Sequence, residues 1–279
     1  MAPPLWAVRT AFRTVGSVAP GVAARWAEEI FCRPPQHAPR EQDESFLATG
    51  RRFSVGSQVG TLAAWEWGAG PTVLLAHGWG SRAGRFSALA PALVAAGFRV
   101  VAHDGPGHGE SAGRRASMPE FAMALRSVAG EGPVAAVVGH SLGAAAAALA
   151  IRQGLPADRA VLLAAPADVE VFSHRFAQRL ALPPAARLAM QRNLERRFGL
   201  RWAEINVAQL AAGMRIPALV VHDTGDTDVP AADGEAIARA WPGAVLLTTT
   251  GLGHRGVLWD DEVVRRVVGF VGAARATER

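Results

Sequence analysis

The chain has 279 residues and a formal net charge of +5, from 29 basic and 24 acidic side chains. Every basic residue is arginine, lysine and tyrosine are absent, and Cys32 is the single cysteine. Schiff-base chemistry, a Ser-Lys dyad, a phosphate-loop lysine, a phenolic acid, an internal disulfide and cysteine-rich metal or iron–sulfur sites are thereby excluded, leaving serine, histidine and carboxylates to carry chemistry.

The sequence pI of about 11.1 reflects the missing lysine and tyrosine, because little titrates between about pH 8 and 12. The arginines are dispersed among acids, so no nucleic-acid partner is expected. Half of the residues are apolar, enough for a sizeable core. No apolar run reaches the roughly 18 residues of a membrane span, and the first 24 residues make a poor signal peptide. A cytoplasmic protein without stable membrane insertion is expected.

Residues Leu5 to Phe31 place apolar side chains at helical spacing, broken near Pro20–Gly21 and stopped by Arg33-Pro34-Pro35. They read as a helical arm packed on the main domain rather than on a membrane surface. Gln36 to Ser45 is polar and reads as a linker, so residues 1–48 form arm and linker and 49–279 the main domain.

Short β-rich runs then alternate with helical ones. Strands are expected at Arg51–Val55, Thr61–Trp67, Thr72–Ala76, Phe98–Ala102, Val134–Val138, Ala160–Ala164, Pro217–Val221 and Ala244–Thr249. Helices are expected at Ala83–Ala96, Pro119–Ala129, Leu142–Gln153, Ala231–Ala240 and Asp260–Ala274. This rhythm predicts an α/β fold with a mostly parallel eight-stranded sheet and helices on both faces, its ligands at the carboxyl ends of the strands. Residues 168–215 interrupt the rhythm with an arginine-rich helical pattern (Arg187, Arg192, Arg196, Arg197, Arg201) and read as a small helical cap over the strand ends. Its arginines read as solvated helix faces rather than as an anion site. Trp79 and Trp202 are candidates for an acyl pocket or for the core.

The pattern G-x-S-x-G occurs twice, at Gly109–Gly113 and Gly139–Gly143. A serine nucleophile needs a strand before it and a helix after it, so that a tight turn exposes its hydroxyl at the helix amino end. Only Gly139-His140-Ser141-Leu142-Gly143 has both, which selects Ser141 and leaves Ser111 as a loop residue. An orienting acid and then a histidine should follow the serine. Of His174, His222 and His254, the last sits just past the final strand and is the expected base. In His222-Asp223-Thr224-Gly225-Asp226-Thr227-Asp228, Asp226 is the expected acid. Asp223 would brace the loop and Asp228 would cap the next helix; Asp168 is the alternative acid. The oxyanion would take the backbone N–H groups of Leu142 and Trp79, the latter from the loop His77-Gly78-Trp79-Gly80.

Four ordered matches carry a family resemblance: His77-Gly-Trp-Gly80, Asp104-Gly-Pro-Gly-His-Gly-Glu-Ser111, Gly139-His-Ser-Leu-Gly143, and Asp226…Val229-Pro230 with Gly253-His254. Over about Phe53 to Val271 the chain resembles the α/β-hydrolase fold family, in its serine-hydrolase branch of carboxylesterases and monoacylglycerol-lipase-like enzymes. The resemblance implies a helical cap after the sixth strand. A serine at the elbow separates the chain from the aspartate-dependent epoxide hydrolases and haloalkane dehalogenases, and its oxyanion loop differs from that of proline-iminopeptidase-like members. The expected activity is hydrolysis of a small-molecule carboxylic ester through an acyl-enzyme, with no cofactor and no metal. Thioester hydrolysis or acyl transfer by the same triad is the alternative, and a non-catalytic binding protein of this shape a remote one. Fold and triad leave the substrate and oligomeric state open.

Overall fold

Apolar runs such as Val134–Val138, with no polar residue between them, need cover on both faces of a strand. The computed structural model describes residues 4–273 and places these strands in one eight-stranded sheet with helices packed against it. Ala274, the expected end of the last helix, lies outside the described residues. The strands are β1 (Arg51–Ser57), β2 (Gly60–Trp67), β3 (Thr72–Ala76), β4 (Arg99–His103), β5 (Val134–His140), β6 (Ala160–Leu163), β7 (Ala218–Asp223) and β8 (Val245–Thr249). Their order is β1-β2-β4-β3-β5-β6-β7-β8. β1 with β2 and β2 with β4 are antiparallel; all other pairs are parallel. The parallel strands therefore end on one side of the sheet, and β5 lies in the middle of that edge.

The helices in chain order are α1 (Leu5–Val18), α2 (Pro20–Phe31), α3 (Glu41–Leu47), α4 (Leu89–Ala95), α5 (Met118–Ala129), α6 (Leu142–Arg152), α7 (Glu170–Leu180), α8 (Pro184–Phe198), α9 (Val207–Ala212), α10 (Ala231–Ala240), α11 (Gly253–Gly256) and α12 (Asp261–Gly272). The two-residue period of the strands divides the sheet residues between two layers. Val73, Leu75, Val138, Leu163 and Val221 join one core with Leu89 and Leu93 of α4 and with Val263, Val267 and Val271 of α12. The intervening Leu74, Val137, Leu162 and Val220 are equally buried, on the side against which α5, α6 and α10 pack. No helix among the described residues is long and apolar enough to cross a membrane.

The chain divides into two compact units. Residues up to Arg33 and Asp168–Asn206 form one; Pro34–Ala167 and the residues from Val207 onward form the other, which holds the whole sheet. The smaller unit takes the helical arm as far as Arg33, and the residues from Pro34 belong to the sheet unit. The segment read as a linker includes α3, whose Asp43 pairs with Arg85 at 3.2 Å. The inserted part of the smaller unit ends at Asn206, because α9 packs on α6 and α10 of the sheet unit.

Within the smaller unit, α1 and α2 pack with α7 and α8 around Phe12, Ala24, Ala27, Leu180, Met190 and Leu194. Small residues allow close approach: a Cβ on Gly16 would stand 2.6 Å from Pro183 Cδ. Trp202 packs here, its ring 6.5 Å from that of Phe31. Several of the arginines are satisfied within the unit, Arg187 by Gln191 at 2.7 Å, Arg201 by Glu204 at 3.2 Å and Arg197 by Glu28 at 3.8 Å.

Among the described residues, one buried imidazole in the sheet unit makes no hydrogen bond from either nitrogen. It belongs to His103, which ends β4 at 1% exposure. Burial lowers its pKa to about 4. Unfolded, it titrates near 6.5, so below that pH the unfolded chain binds a proton the native one refuses. Its destabilising effect grows as pH falls from about 6.5 towards 4. His103→Leu is expected to be at least as stable as the parent at pH 7.5 and to lose less stability by pH 5, as read from urea midpoints at the two pH values.

Candidate active site

The turn between β5 and α6 puts Ser141 at φ 53° and ψ −121°, a left-handed conformation that a serine adopts only under constraint. The constraint is visible in its bonds. Its N–H donates to Leu163 O at 2.9 Å, and its carbonyl accepts the N–H groups of Ala144 and Ala145 at 3.0 and 3.1 Å. The flanking glycines are required by space. A Cβ on Gly143 would collide with the carbonyl oxygens of Ala76 and His77, and one on Gly139 with the backbone of Ala144. The side chain of Ser141 is thereby presented at the amino end of α6, half-buried.

After β7 the chain turns through Asp223–Asp226, and after β8 it reaches His254 in the one-turn helix α11. His254 Nδ1 donates to Asp226 Oδ2 at 2.7 Å; the carboxylate side chain is 0% exposed and the imidazole 11%. The other oxygen, Asp226 Oδ1, accepts the N–H groups of Asp228 and Val229, both at 2.9 Å. Asp223 braces the neighbouring loop. It accepts the Thr249 hydroxyl at 2.8 Å and the N–H of Leu252 at 3.0 Å on Oδ2, and that of Gly225 at 2.9 Å on Oδ1. Burial by itself would raise the Asp223 pKa, but these donors and the Gly253 N–H hold it down at about 2. The position before α10 is Pro230, at φ −60° and ψ 142°.

The loop His77–Gly80 after β3 runs beside the elbow, where a Cβ on Gly78 would stand 3.0 Å from Ser141 Cβ. Two buried imidazoles clip this loop to Asp104–Gly109. His77 accepts the Gly105 N–H on Nε2 at 2.8 Å and donates from Nδ1 to Gly78 O at 2.7 Å. His108 accepts the Gly80 N–H on Nε2 at 2.9 Å and donates from Nδ1 to Pro106 O at 2.9 Å. A ring that accepts on one nitrogen and donates from the other is neutral. Burial enforces this, pushing His77 well below its usual range and His108 to about 4. The Gly78 carbonyl and the Trp79 N–H belong to one planar trans peptide, so the bond from His77 also directs that N–H to the opposite side. Among the described residues, neither the Trp79 N–H nor the Leu142 N–H has an acceptor.

The model of the family described as serine aminopeptidase, S33, matches residues 69–212, over half of the chain. This chain belongs to the S33 serine-hydrolase family of the α/β-hydrolase fold. A second model, described as TAP-like protein, matches residues 202–271. No curated protein sequence matches the chain. Among solved structures, an esterase from Pyrococcus furiosus is similar with a TM-score of 0.66 at 19% identity, over 86% of this chain and 98% of the esterase. A carboxylesterase from Bacillus subtilis is similar with a TM-score of 0.63 at 18% identity, over 90% of this chain and 98% of that one. At such identities the likeness is one of fold.

In this α/β-hydrolase, Ser141, Asp226 and His254 all lie in the sheet unit, and the Asp226–His254 contact is direct. Ser141 and His254 are not hydrogen-bonded to each other; His140, the residue before Ser141, has its ring centroid 4.9 Å from that of His254. His174 and Asp168 belong to the other unit. Ser111, in the second G-x-S-x-G match, is a buried connector that donates to Asp104 O at 2.6 Å and accepts the Ala63 N–H at 2.9 Å. His222 is buried, with Nε2 3.0 Å from Val229 O and 3.5 Å from Asp226 Oδ2. The sequence reading assigned nothing to His77, His108 or His140. Their signal was present, since each adjoins a glycine within a matched motif. Gly143→Ala is expected to cost at least 1–3 kcal/mol of stability from overpacking against the end of β3, measured by urea unfolding, with the α6 sequence otherwise unchanged.

Proposed function

We propose that this α/β-hydrolase cleaves a small-molecule carboxylic ester through an acyl-enzyme, with Ser141 as nucleophile, His254 as general base and Asp226 as the acid that orients it. The observation that carries the reading is the 2.7 Å bond from His254 Nδ1 to the buried Asp226 carboxylate. With its Nδ1 proton committed there, the imidazole keeps a lone pair on Nε2 to receive the serine proton.

Ser141 Oγ attacks the acyl carbonyl as its proton passes to His254. The oxyanion accepts the Leu142 and Trp79 N–H groups, and the amino end of α6 adds a favourable dipole. His254 returns the proton to the leaving alcohol as the ester C–O bond breaks. Water then attacks the acyl-enzyme, losing a proton to His254, and the acid departs with Ser141 restored. Contacts of this kind are often long before substrate binds, which accommodates the missing Ser141–His254 bond.

Esterases among the structural neighbours favour an ester, whereas the S33 model's description names a peptidase. A panel of short aryl esters, matched acyl-thioesters, alcohol acceptors and aminoacyl anilides separates hydrolysis of esters from the thioester, transfer and amide readings. An ester preference in kcat/KM is expected. Wild type should label with a fluorophosphonate and Ser141→Ala should not; a folded wild type that neither labels nor cleaves any ester would sink the proposal. Asp226→Asn is expected to lower kcat about 10³–10⁴-fold with labelling slowed in parallel.

A further inference from the structure

His140 precedes the proposed nucleophile and has no role in the steps above. It is 5% exposed, and its Nε2 donates to the backbone carbonyl of His254 at 2.8 Å. Among the described residues this is the single hydrogen bond between the elbow, residues 139–143, and the loop carrying His254. The two rings lie 4.9 Å apart with 49° between their planes. The other nitrogen, Nδ1, is buried without a partner, and a Cβ on Gly78 would stand 3.2 Å from it. The imidazole is thus wedged among three backbone segments: the elbow, the His77–Gly80 loop and α11.

The backbone around His254 has little stiffness of its own. α11 spans only Gly253–Gly256, and Gly251 and Gly253 sit at φ 84° and 62°. Asp226 fixes the direction of the His254 ring through Nδ1, and Asp223 holds the residues before it. Neither bond sets how far the His254 main chain stands from the turn that carries Ser141. The bond from His140 spans that gap.

We propose that His140 is a positioning residue: by holding the His254 carbonyl against the elbow, it sets the separation between the His254 ring and the Ser141 hydroxyl. The inference rests on the reading of these two residues as base and nucleophile. A displacement of about 1 Å in such a pair costs on the order of 10²-fold in rate.

The test compares His140→Leu, His140→Gln and His140→Asn by aryl-ester kinetics, fluorophosphonate labelling rate and melting temperature. A glutamine amide nitrogen reaches roughly the place of Nε2, whereas the asparagine amide falls near Nδ1. The leucine and asparagine variants are expected to lose about 10²-fold in kcat with little change in KM, and glutamine to recover at least about tenfold of that loss. Labelling rates should follow kcat. A folded leucine variant with undiminished kcat and labelling would overturn the proposal and leave the triad standing. If leucine does not fold, the other pair decides: equal labelling by glutamine and asparagine overturns it, and faster labelling by glutamine supports it. A wild type that neither labels nor hydrolyses removes the triad and this proposal together.

Discussion

Ser141 is held at φ 53° and ψ −121°, a conformation that costs a non-glycine residue roughly 1–3 kcal/mol. Much of the sheet unit has the form that makes this tolerable. The chain can leave β5 and enter α6 so abruptly only because Gly139 and Gly143 carry no side chain where the backbones of Ala144, Ala76 and His77 pass. α6 can lie that close to the sheet because Ala144 through Ala148 are all small and fully buried. The turn is held by three backbone bonds, one of them to β6, so it depends on β6 lying in register with β5. The half-buried Ser141 at the edge of the sheet is thus a consequence of packing in its middle.

Around this turn, buried histidines act as neutral connectors. An imidazole has two nitrogens with opposite roles when uncharged, so a single ring can accept one backbone N–H and donate to one carbonyl. His77 and His108 do this between the His77–Gly80 and Asp104–Gly109 loops, and burial holds His108 and His140 near pKa 4. A lysine or arginine could not serve, because neither accepts a hydrogen bond. The acidic side of the site is organised differently. Asp223 is kept charged by converging donors and holds a loop, while Asp226 receives two backbone N–H groups and the His254 ring.

The smaller unit follows another principle. Its helices present apolar stripes that bury each other over alanine and glycine contacts, with polar residues of α7 and α8 satisfied locally, as Gln191 is by Glu170 and Ser173 at 2.7 and 2.9 Å. Its two pieces are separated in sequence by the whole first part of the sheet unit.

The sequence alone was enough for the order of strands and helices, because buried parallel strands have an unbroken apolar signature and G-x-S-x-G after such a strand has one sterically allowed reading. It also distinguished the two serines, since only Ser141 has a strand before it and a helix after it. Three things depended on the fold. The pairing of Asp226 with His254 joins residues 28 apart through two loops, and no local pattern states that their side chains meet. The partner helices of the N-terminal arm, α7 and α8, were not stated by its own sequence, because an apolar helix face requires cover without specifying what supplies it. The glycine motifs marked the places of His77 and His108 but not their work, since a histidine becomes a neutral linker only when tertiary packing removes its water and brings a donor to one nitrogen and an acceptor to the other. Composition and local spacing determined which chemistry this protein has to work with; burial and non-local contact decided which of those groups touch.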